Sequence, residues 1–169
     1  MTSMKEIEIE KVVLNCGAIG EKLDRAEKLL VMLTGKKKIM RTESKKRIPS
    51  LGVRPGLELG CMVTLRNKQA RELLRKLLGA VNNEIPAKKI KENHFSFGIK
   101  EYIEIPGVEF AREVGILGFN VTVVFSRKGK RVERRKIKRG SLPKRQHVKA
   151  EEIIEYMKKN YNLKIGGKE

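Results

Sequence analysis

Two short segments of this chain hold most of its net charge, and they restrict what its surface can be for. Residues 36–47 carry seven Lys and Arg against one acid, Glu43, and residues 127–145 carry eleven against one, Glu133. Together they hold sixteen of the nineteen net positive charges of a 169-residue chain. Like charge at that density repels itself and must be offset by something, and the second run has too few apolar residues to form a packed element. Charge that clusters while the remainder stays nearly balanced marks a binding surface. The partner it fits is a polyanion, nucleic acid first.

The remaining sequence has enough pattern to build a framework, and its 40% apolar content suits one folded core. Alternation ending in Val12-Val13-Leu14 predicts a strand over 8–15 that closes at Asn15, then a turn through Gly17 and Gly20. Leu23, Ala26, Leu30 and Leu33 recur at helical spacing, with Leu29 widening the stripe, which predicts a helix over 21–34 stopped at Thr34-Gly35. A short edge strand fits residues 38–42. Leu59, Cys61, Val63 and Leu65 alternate as a strand over 59–66. Asn67 is placed to cap a helix over 68–78 built on Ala70, Leu73, Leu74 and Leu77.

Residues 80–93 are polar and interrupted by Pro86, and are expected to be mostly irregular. Phe95, Phe97 and Ile99 predict a strand over 94–100, and the run around Val121, Val123 and Phe125 one over 120–126. The stretch between them is expected to be loop, with at most one helical turn. Ala150, Ile153, Ile154 and Met157 predict a last helix over 148–160. Separated strands with helices between them imply an α+β protein, read as a single domain over 1–169. Residues 36–58 form its basic segment and protruding loop, and 127–145 a basic extension before the C-terminal helix.

Several function classes find no support. Cys16 and Cys61 are too few for a thiolate metal site, His94 and His147 are remote from them, and both thiols are read as buried and structural. With 5% aromatic residues and no Trp, a broad base-stacking platform is not expected. No apolar run approaches the ~20 residues of a membrane span and no signal-peptide core is evident, so no membrane contact and an intracellular place are expected. No Gly-rich loop precedes a Lys-Ser/Thr pair, and His94 has no nucleophile to serve. The pairs Glu8/Glu10 and Glu151/Glu152 read as a solvated strand face and a first helical turn. No enzyme and no cofactor are expected.

The charge therefore carries the functional reading. In the first run Lys36, Lys38, Arg41, Lys45, Lys46 and Arg47 are candidate phosphate ligands, the lysines as mobile point charges and the arginines as forks. The loop Ile48-Pro49-Ser50-Leu51-Gly52-Val53-Arg54-Pro55-Gly56 sets Leu51 and Val53 among Pro and Gly. Either both tuck back onto the core, or a stiffened tip displays Arg54 between small apolar groups to a folded RNA, in which case the tip should be weakly held in the free protein. In the extension Arg127, Lys130, Arg131, Arg134, Arg135, Lys138 and Arg139 are candidate RNA ligands on a segment expected to order on binding. The commonplace reading of such a string, a nuclear-localisation signal, presumes a nucleus.

Four stretches carry a resemblance to a known family. Glu10-Lys11-Val12-Val13-Leu14-Asn15 with Gly17, Ser50-Leu51-Gly52-Val53-Arg54-Pro55-Gly56, Gly60-Cys61-Met62-Val63-Thr64-Leu65-Arg66 and Phe95-Ser96-Phe97-Gly98-Ile99-Lys100-Glu101 together resemble the fifth protein family of the large ribosomal subunit, in its archaeal branch. The resemblance implies an antiparallel sheet backed by helices and a protein of the cytoplasmic large subunit that binds 5S rRNA and large-subunit rRNA. It further implies contact with P-site tRNA, with a small-subunit ribosomal protein at an intersubunit bridge, and with neighbouring large-subunit proteins. On this resemblance Asn15 matches a strand-end asparagine at 5S rRNA, joined in the RNA-binding set by Arg66. Ser50, Gly52, Val53 and Arg54 match the tRNA-facing loop. Cys16 stands where an apolar residue is usual, and the 127–145 cluster is richer than the bacterial pattern. The competing function is a ribosome-assembly adaptor that binds a protein partner through its helices.

Overall fold

The alternation of Val12, Leu14 and Cys16 puts three apolar side chains on one side of an extended segment and Asn15 on the other. In the computed structural model, which describes residues 4–36 and 38–166, this segment is the strand β1, Ile7–Gly17. The other strands are β2, Met40–Glu43; β3, Glu58–Leu65; β4, Glu84–Pro86; β5, Ile90–Lys91; β6, His94–Ile99; β7, Phe119–Arg127; and β8, Lys164–Gly166. The helices are α1, Glu21–Thr34; α2, Asn67–Ala80; α3, Arg131–Arg134; and α4, Ala150–Tyr161. Six strands form an antiparallel sheet in the order β2-β3-β1-β7-β6-β5, and β4 and β8 pair in parallel as a separate ribbon. This is the expected α+β class.

The chain sorts into two compact units, and β1, β3, β6 and β7 contribute residues to each. One unit takes residues 13–64 and 98–121. Its helix α1 buries Leu23, Ala26, Leu29 and Leu30 completely or nearly so, as its spacing predicts, while Leu33 is only half-buried. Gly35 closes the helix by donating its N–H to the Val31 carbonyl at 2.8 Å. Cys16 and Cys61 are free, buried thiols. Burial pushes both pKa values up, that of Cys61 to about 11, which favours the protonated thiol at neutral pH. Between β6 and β7 a single turn, Tyr102–Glu104, is helical, and the Tyr102 hydroxyl accepts the Ala111 N–H at 2.9 Å.

The other unit takes residues 1–12, 65–97 and 122–169. Its core includes Phe95 stacked on Phe97 and Phe125, with Tyr156 of α4 edge-on to Phe125 at 5.8 Å between centroids. Two expectations need correction here. Residues 80–93 are not irregular: they hold β4 and β5, and β4 finds its partner eighty residues away, Ile85 opposite Ile165. Asn67 does not cap α2: Arg66 occupies the N-cap position without a side-chain bond, and Asn67 opens the helix at φ 58°. Asn93, also at positive φ, is better used. Its side-chain oxygen accepts from the Val148 N–H at 2.8 Å and its backbone carbonyl from the Phe125 N–H at 2.7 Å. No helix among the described residues is long and apolar enough to cross a membrane.

Candidate nucleic-acid interface

The first basic run is split by the fold into three chemically different parts. Lys37 lies outside the described residues. Lys36 is half-buried and its ammonium donates to the Thr64 carbonyl at 2.6 Å, so it ties the end of α1 to β3. Arg41 lies in β2 opposite Cys61 of β3. Its guanidinium meets Asp24 at 2.8 Å, Glu27 at 2.6 Å and Glu58 at 2.8 Å, and the bonds to Glu58 and Glu27 hold its pKa above even the usual arginine value. Its charge is thus answered inside the chain. Lys38, Lys45, Lys46 and Arg47 are exposed and have no acid partner among the described residues.

The last three stand on the excursion that joins β2 to β3. Its throat is closed where Ser44 donates to the Leu57 carbonyl at 2.8 Å and Gly56 to the Ser44 carbonyl at 2.9 Å. Its tip is closed again by a two-way bridge, Ile48 N–H to Val53 carbonyl at 2.9 Å and Val53 N–H to Ile48 carbonyl at 3.0 Å. Pro49–Leu51 forms one tight turn inside that bridge, ended by Gly52 at φ 65°, a left-handed conformation that glycine adopts without strain. The tip is therefore a hydrogen-bonded ring rather than a weakly held loop. Of the two apolar residues in question, Val53 tucks in at 5% exposure and Leu51 stands out at 70%. Ser50, Gly52 and Arg54 are exposed around them, and Arg54 has no acid partner among the described residues. Asn15 lies outward at the end of β1, where Ala18 donates to Leu59 of β3 at 3.1 Å. Arg66, in the other unit, is exposed and unpaired among the described residues.

The second basic cluster, residues 127–145, has a counter-surface within its own unit. Arg127 grips both carboxylate oxygens of Glu152 at 2.7 and 2.8 Å and donates to the Lys5 carbonyl at 3.0 Å. Lys128 reaches Glu6 and Glu8, each at 3.3 Å. Lys130 meets Glu10 at 2.8 Å, and Arg134 pairs with the other oxygen of the same carboxylate. Burial alone would push the Glu10 carboxyl up; Lys130, then Arg134 and Lys11, outweigh it and hold the pKa below its usual value. The segment is thus not devoid of packed structure, as its composition implied, because α3 and these pairs give it a shape in the isolated chain. Arg131, Arg135, Lys138 and Arg139 remain exposed with no acid partner among the described residues.

Three of these acids, Glu8, Glu10 and Glu152, are ones the sequence pattern assigns to solvent, and Glu6 is a fourth that it does not single out. Glu6, Glu8 and Glu10 recur at period two, which puts Glu8 and Glu10 on one side of β1 with Glu6 in line just before it. That spacing was the available signal. Glu152 serves twice, since it also accepts the Lys149 N–H at the start of α4 at 3.1 Å. No cluster of three or more potential metal ligands occurs among the described residues.

The comparisons with known proteins agree in one direction. A family profile for the C-terminus of the ribosomal large-subunit protein five family matches residues 58–156. The large ribosomal subunit protein uL5 of Nanoarchaeum equitans is 44% identical over 165 residues, covering 96% of this chain and 97% of that protein. Those of Methanosphaera stadtmanae and Sulfurisphaera tokodaii are 40% and 42% identical, covering 98% and 96% of this chain and 99% and 93% of those proteins. A profile over more than half the chain and near-complete alignment at these identities place this chain in the uL5 family of large ribosomal subunit proteins.

Proposed function

We propose that the chain acts in the cytoplasmic large ribosomal subunit as a non-enzymatic RNA-binding constituent that holds 5S rRNA and touches P-site tRNA. Family membership supports the subunit and the contact with rRNA and neighbouring proteins. The observation that carries the finer reading is the set of exposed cations on the β2–β3 excursion, Lys45, Lys46, Arg47 and Arg54, which no carboxylate among the described residues neutralises. Unanswered charge on a protruding, internally bonded loop is what a phosphate backbone would neutralise, with release of its counterions.

Within that reading Lys38, Lys45, Lys46 and Arg47 supply charge to 5S rRNA, and the Asn15 amide adds a contact that depends on geometry because it has both donor and acceptor. Lys36 and Arg41 shape the same surface from behind. Arg66, and Arg131, Arg135, Lys138 and Arg139 of the extension, offer further contacts to rRNA. The tip, with Ser50, Gly52 and Arg54 outward and Val53 as its anchor, faces tRNA. A small-subunit protein at an intersubunit bridge is a further partner of this reading.

Replacing Lys45, Lys46 and Arg47 together by Gln tests it. Isolated 5S rRNA should bind more weakly, and the slope of log K against log salt should become shallower by about 2–3, three contacts at roughly 0.7–0.9 each. Unchanged affinity would refute RNA binding through this loop and favour a protein-binding adaptor.

A further inference from the structure

Four of the eleven cations of residues 127–145, at positions 130, 131, 134 and 135, are sorted by the turn of α3. Lys130 and Arg134 are four residues apart and so share a side of the turn, and both meet Glu10. Arg131 and Arg135 share the next side round, and no acid meets either among the described residues. The turn closes through Arg135 N–H to the Arg131 carbonyl at 2.9 Å, and a wider loop closes through Gly140 N–H to the Val132 carbonyl at 3.1 Å.

We propose that the row Glu6, Glu8 and Glu10, together with Glu152, is a latch that fixes the basic extension before RNA arrives, so that Glu10 is a positioning residue for RNA binding and not a repulsive charge. The Glu10 side chain is only 9% exposed, and both of its oxygens are in use. Without it, Lys130 and Arg134 have no other carboxylate in hydrogen-bond contact among the described residues. Lys128 is held by the two preceding members of the row, and Arg127 fastens the root of the extension to α4 through Glu152.

An unlatched segment of this composition samples many conformations and must be ordered at the moment of binding, which weakens association. A latched one presents Arg131, Arg135, Lys138 and Arg139 already arrayed. The proposal relies on the RNA-binding reading for one of its two readouts only.

The experiment compares the full chain with its Glu10→Gln form. By charge alone the substitution should tighten binding to a polyanion. The latch requires the opposite: affinity for transcribed 5S rRNA falls about threefold. In the RNA-free protein, amide hydrogen exchange at Arg135 and Gly140 should accelerate at least tenfold while β1 and α4 stay protected. Glu10→Asp, which keeps the carboxylate, should restore much of the protection. Because Glu10 is nearly buried, the double change Glu6→Gln and Glu8→Gln gives a second route through exposed carboxylates, with a smaller acceleration expected. Exchange unaltered in both variants, or tighter RNA binding by Glu10→Gln, would overturn the latch. If the parent chain failed to bind 5S rRNA, the functional reading would fall while exchange in the free protein still decided the latch.

Discussion

Arg41 of β2 and Glu58 of β3 are joined across neighbouring strands by a 2.8 Å hydrogen-bonded ion pair, and the same guanidinium also holds Asp24 and Glu27 of α1. An arginine in the middle of a basic run is thus a cross-tie between a helix and an edge strand. Four of its five N–H donors are committed before any RNA approaches.

Arg41→Ala is therefore expected to lower the melting temperature while reducing 5S rRNA affinity at least threefold less than Lys46→Ala does. Thermal melts and filter binding of both variants check it. Equal losses of affinity from the two would return Arg41 to the set of direct ligands.

Gly118 sits where a side chain has no room. A Cβ there would lie 2.5 Å from the Lys100 carbonyl oxygen and 2.7 Å from that of Ile99, both backbone atoms that cannot swing away. The Gly118 carbonyl in turn accepts the Cys16 thiol at 3.3 Å. Gly118→Ala should cost about 2 kcal/mol, in the range of overpacked sites, and lower the melting temperature by about 4–8 °C for a chain of this size. A melt within a degree of the parent would contradict that packing.

The structure separates what the chain makes legible locally from what it does not. The helix α1 and strands β1, β3, β6 and β7 each repeat their own apolar period over enough residues to be read alone. By contrast β4, β5 and β8 are two or three residues long, and β4 contains Pro86; nothing local announces a partner eighty residues away. At the candidate interface the cations were visible as composition, but not their pairing. Arg41 and Lys46 look alike in sequence, and only the fold brings Asp24, Glu27 and Glu58 to one of them. The same holds for Lys130 and Arg131, adjacent in the chain and opposite in fate.

Arg54 tests the division of labour on the loop. Its side chain has no acid partner among the described residues and its backbone carbonyl accepts the Leu57 N–H at 3.2 Å, so truncation should leave the loop folded. Arg54→Ala is expected to weaken P-site tRNA engagement in assembled ribosomes while keeping 5S rRNA affinity within about twofold, ~0.4 kcal/mol. Loss of 5S rRNA binding with tRNA engagement intact would reverse the assignment.

Acid should release the latch, and the sign follows from Glu10. Burial raises its pKa, but Lys130, Arg134 and Lys11 bring it below the usual 4.5. A carboxyl depressed in the folded state contributes stability that is fully present above about pH 4.5 and is lost as pH falls through the lower folded value. Carboxyl carbon shifts followed by NMR should show Glu10 titrating below its usual value, with the protection of Gly140 lost over the same interval. Titration of Glu10 above that value would mean that burial outweighs the cations.

The ring closed by Ile48 and Val53 has a kinetic meaning. A segment that must fold onto its target gives up roughly 1–2 kcal/mol of backbone freedom for each residue it orders, and must be ordered afresh at every encounter. A tip already closed by its own hydrogen bonds gives up little of this. It can touch a passing surface through Leu51 and Arg54 and withdraw unchanged, so its contacts can be brief and repeated without refolding at each encounter.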